Sequence, residues 1–345
     1  MDTLATVSQL LFSAGTVALV VAFAASVGHA VLLANGRRVA AAAAAAAALS
    51  PARAGTQPAF AGAQPSGAGA QPPIAGARPS WAGVASGSFV RARAAAESAG
   101  PAPYAFGTGL SGIAQWLAVA AFAALLVSAT LRGIVVGRGP WGNLFEFSVA
   151  FATSIVGGYL LLERRFPIRS IAAIPLAVAV FLALYASSLP SSIERLVPAL
   201  QNAPLLTIHV GMAVLSYGIF ATSFAAGIGY LAQGKSDRYA WLPSHKVLDQ
   251  VAYRAVIIGF PIFATMIILG SWWASIAWSR YWGWDPKETA ALVTWLVYAI
   301  YLHARNQRAW AGRPAALLLV VGFGMVLVTY SGSLWFSGLH AYSGL

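Results

Sequence analysis

The chain of 345 residues contains no cysteine and only four methionines. It therefore forms no disulfide, relays no thiols and offers no thiolate to a metal, which excludes a thioredoxin-type redox role for the chain itself. Charge is scarce as well, at 9% of residues, and acidic groups are the rarer sign, nine against 21 Lys and Arg. Apolar residues fill the space, 59% of the total, and several uninterrupted stretches run to about 18 residues or more. In hydrocarbon a backbone must satisfy its own hydrogen bonds within the segment, so such stretches are helices. The expectation is an all-α, polytopic membrane helical bundle.

Counting apolar runs gives about eight spans, at roughly 9–34, 112–131, 145–162, 170–188, 205–231, 255–273, 288–304 and 315–336. The first is longer and less polar than a secretory leader and has no clear basic start or cleavage site, so it counts as a real helix. A net charge of +12 could suggest a nucleic-acid partner, but the basic residues do not gather into one aromatic-laced patch. They sort by side instead. With alternating spans, one side holds Arg37, Arg38, Arg164, Arg165, Arg169, Lys235, Arg238, Lys246, Arg254, Arg305, Arg308, Arg313 and the linker arginines. The other holds only Arg132, Arg138, Arg195, Arg280 and Lys287. The basic side is cytoplasmic by the positive-inside rule, which puts both termini on the outer side. A membrane bounding the cytoplasm, with the tryptophan-rich face outward, is the implied setting, and nucleic acid is not a partner.

Residues 39–110 differ from the rest. They open with nine consecutive alanines, 40–48, and continue as loose Ala-Gly-Ala-Gln-Pro and Ala-Gly-Ala-Arg-Pro repeats. Such a composition cannot bury enough apolar surface to fold alone and favours a flexible cytoplasmic linker, with the alanines extending the first helix. The domain reading is a first transmembrane helix at 1–38, the linker at 39–110, and a compact seven-helix domain at 111–345. Gly157-Gly158, Gly227-x-Gly229 and Gly322-x-Gly324 mark sites of close helix approach.

Six of the twelve tryptophans fall between residues 272 and 295. The stretch 272–288 reads as an outer loop, far richer in aromatics than the one or two interfacial anchors a membrane protein usually places there. A broad, flat, apolar ligand suits it. The histidines are His29, His209, His245, His303 and His340. His209 lies about one turn into the fifth span and His340 a few residues past the last, so both share the outer side with the tryptophans. Neutral imidazole is a good axial ligand for haem iron. His303 lies 15 residues beyond Glu288, roughly 22 Å deeper along a helix, and His29 reaches a comparable inner depth. Taken singly, a histidine or tryptophan near an interface is more often a packing or anchoring residue, and His245 beside Lys246 reads as solvated. Two histidines flanking an aromatic loop on one side shift the weight toward a site.

The run Trp278-Ser-Arg-Tyr-Trp-Gly-Trp-Asp-Pro-Lys-Glu-Thr-Ala-Ala-Leu-Val-Thr-Trp-Leu-Val-Tyr-Ala-Ile-Tyr-Leu-His303-Ala-Arg305 resembles the tryptophan-rich WWD signature of the CcsA/ResC (CcsB) family of system II cytochrome c biogenesis proteins. Further matches are Leu205 to Tyr217 around His209, Pro140-Trp-Gly-Asn143-Leu-Phe-Glu146, Tyr253-Arg254 through Pro261, and Gly338-Leu-His340-Ala-Tyr-Ser-Gly344. The resemblance covers about residues 110–345 and leaves out the linker.

It implies haem delivery across the membrane and presentation for covalent attachment to an apocytochrome c bearing Cys-x-x-Cys-His. His209 and His340 would be the axial ligands of haem b held in transit against Trp278, Trp282, Trp284 and Asp285. His303 would hold the same haem earlier, with the second ligand from a ResB-like membrane subunit. The chain would then be a component of a thioether-forming synthase and not active by itself, with a thiol-reducing, thioredoxin-like protein keeping the substrate cysteines reduced. Lys287 or Arg280 could pair with the haem propionates. Asp285-Pro286 fixes the loop and starts the seventh span. Two competing readings are a membrane haem b electron-transfer protein using His29 and His303, and a transporter of another aromatic solute.

Overall fold

The apolar runs fold as eight α-helices in a computed structural model that describes residues 2–49, 109–193, 203–307 and 310–340. They are α1 Asp2–Leu49, α2 Leu110–Val136, α3 Leu144–Glu163, α4 Ala173–Ser187, α5 Ala203–Gln233, α6 His245–Trp278, α7 Pro286–Arg305 and α8 Arg313–Trp335, with a 3-10 turn at Arg169–Ile171 before α4. No strand occurs among the described residues. Six of the helices are long and apolar enough to cross a membrane. The other two are α4 and α7. At about 1.5 Å per residue the 15-residue α4 spans roughly 22 Å, short of a hydrocarbon core of about 30 Å. α7 has the length, but it opens on Lys287 and Glu288 and closes on His303 and Arg305. The protein is a multi-pass helical membrane protein.

The chain divides into two compact units, residues 1–38 with 105–345, and residues 39–104. Of the second, only residues 39–49 are described, and they continue α1 through the alanine run to Leu49. The rest of the predicted linker up to residue 108, like Arg195 and Arg308, lies outside the described residues.

Local signals explain several helix ends. Asn143 caps α3 by accepting a hydrogen bond from the Glu146 N–H, and Ser244 caps α6 through the Val247 N–H. Gly137, in the left-handed conformation, closes α2. Gly312 and Pro314 mark the start of α8.

α5 is the central helix and packs against α3, α6 and α8. α3 and α5 run side by side in one direction, with Ser154 Oγ donating to the Val214 carbonyl at 2.6 Å. Gly158 and Gly218 make this approach possible, because a Cβ on Gly158 would stand 2.7 Å from the Gly218 carbonyl oxygen, and one on Gly218 would overlap Ser154. The expectation of close helix approach at Gly157-Gly158 is met there. Aromatic pairs fill the middle of the bundle: Phe220 stacks on Tyr298 at 3.8 Å and Phe224 on Phe323 at 4.8 Å. α1 is joined to α2 by Ser8 and Ser128, each hydroxyl donating to the other residue's carbonyl at 2.9 and 2.7 Å, and it rests Phe12 on Phe145.

At the end of the bundle where α2 finishes and α3 begins, Glu146 is fully buried. It accepts from Arg132 Nε at 2.9 Å, Arg138 at 2.7 Å and the Gly142 N–H at 2.8 Å. The α2–α3 turn is thereby fixed, and the Gly139 N–H donates to Thr207 Oγ1, fastening it to the start of α5. His209 lies two residues on.

Candidate functional site

α6 continues further than its apolar run suggests. No glycine or proline interrupts it after Gly270, so Trp272, Trp273 and Trp278 are helical and the connector to α7 is only residues 279–285. The aromatic stretch 272–288 is thus two turns of helix, a short connector and the first turn of α7. The connector is strained: Ser279 and Trp284 have φ of +57° and +55°, a region that non-glycine residues rarely occupy. It is held by a capping box. Asp285 accepts from the Lys287 N–H at 3.1 Å, while Glu288 Oε2 accepts from the N–H groups of Gly283 and Asp285 at 2.8 and 3.1 Å.

Asp285 does more than cap. Its Oδ1 accepts from the Leu339 N–H and its Oδ2 from His340 Nδ1 at 2.7 Å, tying the connector to the residues that follow α8. The residue is 5% exposed. Burial opposes its charge, but the His340 hydrogen bond and charge outweigh that, together with the N–H groups of Leu339 and Lys287. They hold the carboxyl below its ordinary value of 3.8.

Beside this junction lies a cavity whose empty space, open solvent at its mouth included, is about 810 Å³. His209 enters it from α5, Trp273 and Trp278 from α6, Trp282 from the connector, Lys287 from α7 and His340 from beyond α8. His209 Nδ1 lies 2.9 Å from the Met266 carbonyl on α6. A ring whose Nδ1 faces a carbonyl or a carboxylate carries its proton there, which leaves the lone pair on Nε2. Both histidines meet that condition. Their rings lie 6.3 and 6.0 Å from the Trp273 ring, and Trp278 meets His340 edge-on at 4.9 Å. Gly270 makes room for His209, since a Cβ there would stand 2.5 Å from the imidazole Cε1.

Of the residues expected at a site, the structure brings His209, His340, Trp278, Trp282 and Asp285 together. Trp284 is 69% exposed and turns its ring to Trp282. His303 lies at the far end of α7, exposed, with its Nε2 2.8 Å from the Gln307 amide nitrogen. His29 lines a different, smaller cavity with Gln115, Tyr159 and Arg169, so His29 and His303 are not assembled as a pair. His245 starts α6 with Nδ1 3.0 Å from Asp237. Met266 and Gly270, outside the aromatic stretch 272–288, belong to the site as well, together with Trp273 within it. They stand at i, i+4 and i+7 on the face of α6 that meets α5, a helical stripe visible in the sequence. Trp273 is 2% exposed and its indole N–H has no hydrogen-bond partner among the described residues.

The sequence pattern of the family described as cytochrome C assembly protein matches residues 141–340, which contain every lining residue of this cavity. Among curated proteins, the chain is 34% identical over 278 residues to the cytochrome c biogenesis protein CcsA of Synechococcus elongatus, covering 64% of this chain and 85% of that protein. It is 34% identical over 268 residues to CcsA of Parasynechococcus marenigrum, covering 67% and 87%. It is 31% identical over 284 residues to CcsA of Pyropia yezoensis, covering 69% and 89%.

Proposed function

Because the chain belongs to the cytochrome c assembly protein family, we propose that its cavity between α5, α6, α7 and the residues after α8 is where haem is presented for attachment to apocytochrome c. The protein handles haem in cytochrome c maturation, as a membrane component working with apocytochrome c and other membrane proteins. The observation that carries the site assignment is the pair of imidazoles, each with Nδ1 against an acceptor, in one aromatic cavity.

The residues suit haem b as cargo. A porphyrin presents a wide apolar face, and Trp273, Trp278, Val210, Ile267 and Ala291 present apolar surface to it. His209 and His340 would supply two neutral imidazoles to the haem iron, which would limit side reactions of an exposed haem. Attachment adds each substrate thiol across a vinyl group of the haem, so the thiols come from the apocytochrome and a chain without cysteine suffices. The contribution of this chain is positioning: Met266 orients His209, and Asp285 orients His340.

The basic-residue asymmetry supports placing the cavity on the outer face of a bacterial plasma membrane. His303, exposed near the opposite end of α7, is suited to hold haem on its way across, with the second ligand from a ResB-like subunit. A thiol-reducing, thioredoxin-like partner fits the same scheme.

The test is the visible spectrum of the protein purified with its partner subunit, for wild type and for His209→Ala and His340→Ala, with and without imidazole. Loss of the low-spin signal in both variants and its return with imidazole is the expected result. A low-spin spectrum unchanged in both would refute the assignment.

A further inference from the structure

Three residues of one α6 stripe surround the His209 ring. Met266 sets its carbonyl 2.9 Å from Nδ1, Gly270 leaves the space that the Cε1 edge fills, and Trp273 lies parallel to the ring, with 10° between the planes and 6.3 Å between centroids. A hydrogen bond at one ring atom fixes a point and leaves the ring free to swing about it. A flat neighbour fixes the plane. Trp273 is itself closely packed: it is 2% exposed and forms a small apolar cluster with Leu206 of α5, against which Leu205, Val210 and Ala277 rest. Side chains packed in this way keep one rotamer. The orientation of Trp273 also gives it a part other than lying on the face of a ligand. An imidazole bound to iron through Nε2 holds the iron–nitrogen bond in its own plane, and that bond is normal to the porphyrin, so a ring within 10° of the His209 plane stands edge-on to the macrocycle.

We propose that Trp273 is a positioning residue for the haem iron: it sets the direction of the His209 plane about the axial bond, and with it the angle between the two axial imidazoles, an inference that rests on the haem reading given above. The His340 plane is inclined by 45° to Trp273, so the two imidazole planes cross at 45° within 10° either way, short of a right angle. The angle between axial imidazoles governs how the iron d orbitals split. A residue that touches only the ligand therefore tunes the metal through it.

The experiment is low-temperature electron paramagnetic resonance of the full-length protein in nanodiscs loaded with iron(III) protoporphyrin IX, because the g values of low-spin ferric haem report the angle between its axial imidazole planes. Wild type is expected to give one narrow rhombic low-spin signal, the form that planes short of perpendicular produce. Trp273→Leu takes away the flat neighbour and is expected to spread or shift the g values toward the strongly anisotropic form of crossed planes while the low-spin visible band persists. Trp273→Phe, which keeps a flat ring there, is expected to retain the wild-type signal. Should Trp273→Leu fail to accumulate, Trp273→Met, which fills the space without a flat face, carries the same expectation. A wild type with the crossed-plane signal overturns the role of Trp273. So does a Trp273→Leu or Trp273→Met protein that holds less haem but keeps the wild-type g values and linewidth, since packing alone then accounts for the residue. A wild type without any histidine-dependent low-spin signal overturns the haem reading itself, and this inference with it.

Discussion

Asp285 offers two carboxylate oxygens to three donors, the Lys287 and Leu339 N–H groups and His340 Nδ1. Asn at this position still caps a helix well, but its one carbonyl oxygen cannot serve both Leu339 and His340. Asp285→Asn is therefore expected to leave α7 intact while weakening haem retention roughly 10- to 100-fold, the usual range for a residue that orients a metal-binding histidine. Titration of the purified protein with haem measures it. The same carboxylate sets a pH dependence. Its folded value lies below the ordinary 3.8, so its ionised form contributes stability that is complete above that value and is lost as pH falls through the lowered one. The gap in thermal midpoint between wild type and Asp285→Asn is expected to persist from neutral pH to about 5 and to close only below the ordinary carboxylate range. A gap that closes by pH 6 would contradict the pairing. Gly270→Ala probes the other imidazole: its Cβ would press on His209, at a cost of about 1–3 kcal/mol if the ring stays or loss of the low-spin signal if it moves.

Among the elements, the α2–α3 turn and the α3–α5 contact bear on the position of His209. Glu146 is buried between Arg132 and Arg138, and removing one partner of such a cluster leaves the other charges uncompensated. Glu146→Gln is expected to cost about 3–5 kcal/mol, read as a lowered unfolding midpoint in detergent and as reduced accumulation in the membrane. Because Gly139 in the same turn is hydrogen-bonded to Thr207, the variant protein that does fold is expected to hold haem less tightly as well. A midpoint within a degree of wild type would show that the cluster is peripheral.

For the molecule as a whole, the absence of cysteine becomes an experimental advantage. Single cysteines at Ser337, past α8, and at Ser236, between α5 and α6, are both exposed and belong to opposite ends of the bundle. With the basic ends cytoplasmic, a membrane-impermeant maleimide applied to intact cells is expected to label Ser337→Cys and to spare Ser236→Cys until the membrane is opened. The reverse pattern would invert the molecule and place the cavity on the inner side.

The sequence by itself determined the helical architecture, the order of the eight helices and the candidate histidines, because long apolar runs admit little but helix in hydrocarbon, and His209 and His340 stand at one side of them and His303 at the other. Helix ends were legible where a cap marks them, as at Asp285-Pro286. The end of α6 was not, because tryptophans read as an aromatic loop are equally compatible with two more turns of helix. Only the tertiary structure decided which residues meet. That Trp273 lies close to both histidines while Trp284 turns outward, that Lys287 and not Arg280 enters the cavity, and that Asp285 reaches His340 across more than fifty residues all depend on how α5 to α8 pack. Hydropathy assigns a residue a depth along a helix, whereas the direction it faces is fixed by close contacts such as those of Gly158, Gly218 and Gly270, and these exist only once the helices are assembled.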